Sequence, residues 1–492
     1  MVPQNLENFM RDFDHSMFID GKQFQGNATQ KIEIVNPANE QLIATVPDAC
    51  IEDIDEAVSS ANKAFSSKVW LRYTATQREE KLLQLASLLE KNAEELAMLV
   101  VHENGKLLKD AKREVSNSVR FTRYMAGWAT KITGDTLDVS FASESQQFFA
   151  YTKREPVGVV AAIIPWNMPL AMAIWKIVPA LVCGCTVVLK PSEEAPLSSL
   201  RLAQLIIEAE IPAGVVNVVT GYGHTAGKFL CEHPRINKIT FTGSTQTGKK
   251  IGHIAIENMT RLSLELGGKS PVIVCEDADL SLLPAFIAKG IFYNQGQICA
   301  AGSRLYVARN IFDETVERVV QIAEKMKLGC GMDNDTDLGP LISRNQQQKV
   351  TQYIKDSVAN GAKKLGDSVN LPQQGFFVEP TILVDTTHEM AAVQQEIFGP
   401  VLVAMPFDNE EEVIIKANDS CYGLAASIYS QDISKVHHLV PQIKAGTVFV
   451  NSPVRTDPNL PFGGFKQSGI GREHGNKIFD LYTEHKSVVI TY

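Results

Sequence analysis

The stretch Val157-Gly-Val-Val-Ala-Ala-Ile-Ile-Pro165-Trp-Asn167-Met-Pro169-Leu-Ala-Met-Ala-Ile-Trp-Lys176-Ile-Val-Pro179-Ala-Leu-Val-Cys-Gly-Cys-Thr-Val-Val-Leu189 is the most apolar in the chain. It is long enough for a membrane helix, which needs about 20 apolar residues, but Pro165, Asn167, Pro169, Lys176 and Pro179 divide it. It reads instead as a buried strand, a loop and a helix, with a second strand from Thr186. Unbroken Val/Ile runs of this kind belong to parallel strands covered on both faces. The same texture extends outward from about Phe148, short apolar runs alternating with helical stretches as in βαβ units. The first series of strands is predicted at Val157 to Ile164, Thr186 to Leu189, Val215 to Val219 and Lys238 to Phe241. A second begins at about Leu262, with Val272 to Val274, Arg304 to Val307, Val401 to Phe407, Ala425 to Tyr429 and Val448 to Val450. Two α/β domains are expected, divided near residue 262.

Upstream, two short runs around Asn36-Pro37, between Ile32 and Val46, signal a hairpin. Thr76 with Glu79 has capping-box spacing, and Leu82, Leu85 and Leu89 then recur at helical period, predicting a helix to about Glu90. Asn92 with Glu95 opens a second helix that Asn104-Gly105 stops, and from Leu107 the pattern stays helical to about Ile132, before Gly134. Phe148 to Lys153 and Ser487 to Tyr492 fit neither strand series. They look like exposed edge strands that need a partner, which predicts a homo-oligomer.

Composition bounds the function. The chain has 492 residues, 45% hydrophobic and 21% charged, ordinary values for a globular protein of two or three domains. A net charge of -9 repels phosphate backbones and anionic lipid, so neither nucleic acid nor a membrane is an expected partner. The eight cysteines form no CxxC pair and no cluster with histidine, which predicts a reducing compartment and no metal site. Met1 to Asp20 lacks the basic and apolar regions of a secretion signal, so a cytoplasmic location is expected.

Several residues stand where chemistry is done. Cys299, in Phe292-Tyr-Asn-Gln-Gly-Gln-Ile-Cys299-Ala-Ala-Gly-Ser-Arg304, lies in a loop between a helix and a strand, with small neighbours that leave room for the sulfur and nearby N–H groups to bind an oxyanion. A buried inert cysteine is the alternative on local grounds. Asn167, at the carboxyl end of an apolar strand, can donate to a developing alkoxide or serve as a turn residue between two prolines. Glu265, in Leu264-Glu-Leu-Gly-Gly-Lys269, is a general-base candidate if burial raises its pKa, and a solvated loop carboxylate otherwise; Glu396, in Glu396-Ile-Phe-Gly-Pro400, has the same character. Phe241-Thr-Gly-Ser-Thr-Gln-Thr-Gly-Lys-Lys250 runs from strand to glycine turn to helix start, so helix N–H groups can face a phosphate. It misses the triphosphate-binding GxxxxGK[ST] pattern because Lys250 cannot supply the hydroxyl, and Gly221-Tyr-Gly-His-Thr-Ala-Gly227 misses GxGxxG by one residue. Lys190 and Glu193, after the strand Thr186 to Leu189, can bond ribose hydroxyls or simply begin a capped helix.

Together and in this order, these segments resemble the aldehyde dehydrogenase superfamily from about Asn36 onward. The resemblance rests on Pro-Trp-Asn at 165–167, Lys-Pro-Ser-Glu at 190–193, Phe-Thr-Gly-Ser at 241–244, Glu-Leu-Gly-Gly-Lys at 265–269, the Cys299 loop, Glu396-Ile-Phe-Gly-Pro400 and Pro461-Phe-Gly-Gly464. It implies a Rossmann-like parallel-sheet NAD-binding domain (1–133 and 156–262), an α/β catalytic domain (263–474) and a small β oligomerisation arm (134–155 and 475–492). It further implies that Cys299 attacks an aldehyde, that Asn167 holds the oxyanion, and that Glu265 activates water to hydrolyse the thioester, with Lys176 and Glu473 as a proton relay. Branches that pass the acyl group to coenzyme A lack this glutamate, so the resemblance favours hydrolysis. By the same likeness Ile164, Pro165, Trp166, Lys190, Glu193, Gly223, Gly227, Phe241, Gly243, Ser244, Leu266, Glu396 and Phe398 would bind NAD, Glu193 disfavouring the 2′-phosphate of NADP.

The implied substrate pocket is Met168, Met172, Trp175, Tyr293, Ile298, Ala300, Asp457 and Phe462, apolar and aromatic in the main. Many relatives have Phe at the position of Met168 and an aromatic at that of Thr456. Around 148–170 and 461–475 the chain looks most like bacterial phenylacetaldehyde-oxidising members, which implies an arylacetaldehyde. Enzymes for aliphatic or amino-aldehydes such as betaine aldehyde share every catalytic residue and differ only in this pocket. A nucleoside-triphosphate-binding protein built on 243–250 is the rival of another class, and Lys250 argues against it.

Overall fold

Each half of the 157–189 stretch folds as its composition requires. Val159–Ile163 and Thr186–Lys190 are strands with every residue buried, and Pro169–Cys183 is the helix between them. Pro169 starts that helix, where a missing N–H costs nothing, and Gly184 stops it with φ 92°. No helix among the described residues is long and apolar enough to cross a membrane. The computed structural model describes residues 16–27, 30–141, 145–367 and 369–492, so most of the N-terminal arm lies outside the described residues.

The first sheet has a parallel centre in the order Arg261–Glu265, Lys238–Thr242, Val159–Ile163, Thr186–Lys190, Val216–Val218. Gly469–Ile470 adds antiparallel at one side, and Met17–Ile19 then Lys22–Phe24 at the other. Arg261–Glu265, expected to open the second series, pairs along its whole length with Lys238–Thr242. The change of sheet therefore falls between Glu265 and Pro271, later than residue 262, and Glu265 ends the first sheet rather than beginning the second. The second sheet runs Lys363–Leu365, Thr381–Val384, Val401–Phe407, Arg304–Ala308, Pro271–Val274, Ala425–Tyr429, Thr447–Val450, all parallel except the first.

The predicted hairpin is Lys31–Val35 with Leu42–Pro47. The first capping box forms two residues earlier than its spacing suggested. Thr74 caps Ala75–Lys91, its hydroxyl accepting from Gln77 N while Gln77 Oε1 accepts from Thr74 N. Asn92 does precede Ala93–Asn104, but its amide turns back to donate to Leu88 O at 2.8 Å, so no second box forms. The next helix, Leu108–Ala126, ends short of Ile132. The apolar pattern runs on because Trp128 packs on Phe479, with ring centroids 5.7 Å apart. Ile51–Ser66, a helix that the sequence reading did not single out, starts behind Cys50, a residue type that seldom caps.

Phe148–Pro156 and Thr483–Thr491, the two orphan strands, pair with each other over nine residue pairs, with Thr136–Leu137 on the far side of Phe148–Pro156. In this three-stranded sheet Thr483–Thr491 keeps one edge unpaired among the described residues.

Candidate active site

Parallel pairing brings the carboxyl ends of four strands to one edge of the first sheet. Asn167 follows Val159–Ile163, Lys190 ends its strand, Gly243 follows Lys238–Thr242, and Glu265 ends Arg261–Glu265. The loop before Arg304–Ala308 of the second sheet brings Cys299 to face them. Between the sheets lies a cavity of about 260 Å³, lined by Asn167, Glu265, Cys299 and Glu473, by Met168, Met172, Trp175, Ile298 and Phe462, and by Trp166, Gly243, Ser244, Glu396 and Phe398. Pro165, Leu266 and Ala300 complete the predicted residues on its wall.

The loop carrying Cys299 owes its path to unusual backbone. Asn294 and Gln295 both take left-handed φ, 49° and 58°, and Gly296 follows at 71°. A Cβ on Gly296 would lie 2.0 Å from Gly399 O, so only glycine lets this loop press against the Glu396-Phe398 segment. Phe398 is itself left-handed at φ 60°, held by Gln346 Nε2 donating to its carbonyl at 2.8 Å. Asn167 Nδ2 donates to Gln297 O at 2.9 Å, which ties the amide to the Cys299 loop.

Electrostatics separate the roles. Burial, with Glu473 nearby, pushes the Glu265 carboxyl well above the usual range, and its Oε2 has no partner among the described residues. Such a group is a poor anion and a correspondingly strong base when it ionises. Glu473 forms a buried ion pair with Lys176, and its backbone exchanges two hydrogen bonds with Phe462, which locks that ring on the cavity wall. The Cys299 thiol is pushed up to about 12 by burial, then by the Glu396 and Glu265 carboxylates; the N–H groups of Ala300 and Cys299 oppose the shift.

Further along the edge, Lys190 Nζ donates to Pro191 O at 2.8 Å and lies 3.5 Å from Glu193 Oε2. The turn Gly223–Gly227 sits beside it, with open space over Gly223. Ile164 and Phe241 are buried behind this edge. Ser244 caps the helix Thr245–Glu257, accepting from Thr247 N at 3.2 Å.

Two predicted pocket residues stand away from the cavity wall. Tyr293 lines a separate cavity, beside Asp110 and Lys289, with Arg113 6.0 Å over its ring. The left-handed pair Asn294-Gln295 kinks the chain between it and Cys299. The Asp457 carboxylate is used locally, accepting from Asn459 N at 2.9 Å.

The aldehyde dehydrogenase family profile matches residues 24–488. The chain belongs to the aldehyde dehydrogenase family. It is 47% identical over 482 residues to the phenylacetaldehyde dehydrogenase of Pseudomonas fluorescens, covering 97% of this chain and 96% of that one. The NAD+ complex of the Bacillus cereus aldehyde dehydrogenase superposes with a TM-score of 0.96 at 45% identity, covering 100% and 99% of the two chains. A cysteine-to-alanine variant of the P. syringae indole-3-acetaldehyde dehydrogenase, in complex with NAD+ and IAA, gives 0.95 at 40% identity, covering 99% of each. In this aldehyde dehydrogenase the cavity also takes in Thr242, Gly267, Gln346, Lys349 and Val454, which the sequence reading missed. Gln346 and Lys349 lie on one polar helix, Arg344–Ala359, whose sequence carries no signal that one face meets a site.

Proposed function

We propose that this aldehyde dehydrogenase oxidises an arylacetaldehyde to the free acid with NAD, through a thioester on Cys299 that water hydrolyses. The observation that carries the reading is the convergence of Cys299, Asn167 and Glu265 on one cavity that Glu396 and Phe398 also line. Cys299 attacks as the thiolate, its proton released to solvent water; the S–C bond forms as the carbonyl π electrons move to oxygen, where the Asn167 amide and the Cys299 N–H would stabilise them. Bound NAD would supply the electron sink, a hydride acceptor for the hydrogen that the carbon gives up as its C=O re-forms. Glu265 then takes a proton from the attacking water, the Cys299 sulfur leaves, and Glu473 with Lys176 passes the proton outward.

The donor set fits NAD. Lys190 and Glu193 would bond the adenosine ribose, the N-terminus of Thr245–Glu257 behind Gly243 and Ser244 would face the pyrophosphate, and Glu396 would hold the nicotinamide ribose. The open space over Gly223 leaves room beside Lys190. Ile164, Pro165, Trp166, Gly227, Phe241, Leu266 and Phe398 would shape the rest of the cradle. In this reading the first sheet binds NAD and the second presents the nucleophile.

Trp175 and Phe462, 6.3 Å apart and near perpendicular, with Met168, Met172, Ile298 and Ala300, make an aromatic-lined pocket. An arylacetaldehyde agrees with the relative from P. fluorescens. Burying the ring should give phenylacetaldehyde at least about a tenfold advantage in kcat/KM over acetaldehyde or betaine aldehyde. Equal values across that panel would sink the substrate assignment, and faster turnover with NADP than NAD would sink the cofactor preference.

We also propose that the three-stranded sheet is an oligomerisation arm. Its strands expose Phe149, Val489 and Ile490, and Tyr492 follows them. Sedimentation at micromolar concentration should give a dimer or tetramer, and a single monomer boundary would refute it. All eight cysteines are free, which suits the reducing cytoplasm.

A further inference from the structure

Lys106 and Glu114 lie well away in sequence from every segment given a role above. Lys106 sits in the short link between helices Ala93–Asn104 and Leu108–Ala126, and Glu114 is on the second of these. Their side chains, 2% and 0% exposed, form an ion pair at 2.5 Å. Desolvating both ions of so deep a pair is costly, and their hydrogen bonds have to offset that cost. Both partners spend theirs on one short segment. Lys106 Nζ donates to Asn167 O at 2.9 Å, and Glu114 Oε1 accepts from Ala171 N at 3.0 Å. The latter bond caps the helix Pro169–Cys183, which has no side-chain cap of its own.

The nucleophile loop holds the same residue from the other side. Asn294 Nδ2 donates to Asn167 O at 3.0 Å, so that carbonyl accepts from both directions, while Asn167 Nδ2 donates to Gln297 O. Asn104 Nδ2 fixes the preceding peptide through Trp166 O at 2.8 Å. The Asn167 backbone is thus suspended between a buried cation and the turn that precedes Cys299. An amide gains its catalytic value from being in place before charge develops on the substrate oxygen.

We propose that Lys106 and Glu114 are positioning residues for the Asn167 amide, setting its distance to the oxyanion without touching substrate. The inference rests on the oxyanion role given to Asn167 above. In the paired variant Lys106→Met with Glu114→Gln both charges go, neither partner is left as a lone buried ion, and Gln can still accept from Ala171 N.

The paired variant should lower kcat by about 10- to 100-fold with KM within about twofold. Hydrolysis of p-nitrophenyl acetate, which also passes through an oxyanion, should fall by the same factor. Alkylation of Cys299 by iodoacetamide, which forms no oxyanion, should stay within about twofold of the parent. Combined with Asn167→Ala, the paired change should cost nothing more, because residues acting through one group are not additive. A full multiplicative loss on the Asn167→Ala background, or an equal fall in alkylation, would overturn the inference. Asn167→Ala with unchanged kcat would instead overturn the role of Asn167 itself. If the paired variant is too unstable for kinetics, Lys106→Met alone, which removes the donor to Asn167 O and leaves a buried Glu114 that can take up a proton, carries the same comparison, and a kcat equal to the parent's there would overturn it equally.

Discussion

Replacing Cys299 with alanine should lower aldehyde-dependent NADH formation by at least about 10⁴-fold, since losing the proposed nucleophile removes a whole covalent route rather than one stabilising contact. No neighbour can substitute. Cys183, Cys185, Cys231 and Cys275 are buried, and burial raises all four thiols. Alanine keeps the Cβ and the backbone N–H, so NAD should bind the variant as tightly as the parent. The thiol also sets a pH dependence. With its pKa pushed up to about 12, roughly one Cys299 in 10⁴ is thiolate at pH 8 in the cofactor-free protein. Alkylation by iodoacetamide should therefore climb about tenfold per pH unit through pH 10. A plateau below pH 9 would contradict the raised thiol, and a variant retaining one hundredth of the parent rate would contradict the assignment of Cys299 as nucleophile.

The second large effect is expected at Glu265. Glu265→Gln should leave a stoichiometric burst of NADH intact and slow the steady state by about 10²- to 10⁴-fold, because hydride departs before water attacks. A variant that lost the burst as well would place Glu265 in the first half of the reaction. Its pH behaviour follows from the raised pKa. In the proposed mechanism the parent needs the carboxylate, so the hydrolytic rate should rise with pH as Glu265 loses its proton, and the variant should lose that limb. Stability moves the opposite way. A carboxyl whose folded pKa lies above its unfolded value favours the fold fully below the unfolded pKa and loses that contribution as pH rises through the folded one. Thermal unfolding of the Gln variant against the parent should therefore show an advantage that grows from acid toward neutral and alkaline pH.

Much of this site was readable because its residues announce themselves locally. Asn167, Glu265 and Gly243 each end an apolar run beside glycine or proline, and parallel strands deliver such ends to one edge whatever lies between them. What could not be read depended on backbone that the residue types do not advertise. Nothing in Asn294-Gln295 foretells two left-handed residues, and so nothing turned Tyr293 away from the cavity in advance. Arg261–Glu265 was placed with the wrong neighbours because sheet membership is decided by pairing, and an apolar strand carries no label for its partner. Lys106 and Glu114 were silent for the same reason, since a lysine in a helix link and a glutamate on an amphipathic helix look solvent-facing until Asn167 is brought over them.

The placement of Gly469–Ile470 against Arg261–Glu265 bears on how the chain acquires its activity during synthesis. Cys299 leaves the ribosome before most strands of its own sheet, and the strand that ends in Glu265 gains its outer neighbour only when a segment still further downstream arrives, bringing Glu473 beside Glu265 and Phe462 to the wall. A nascent chain thus carries the sulfur and the base without the geometry that joins them. Until the growing polypeptide returns to its first sheet, the burial and the Glu396 carboxylate that raise the thiol in the finished fold are not in place around it.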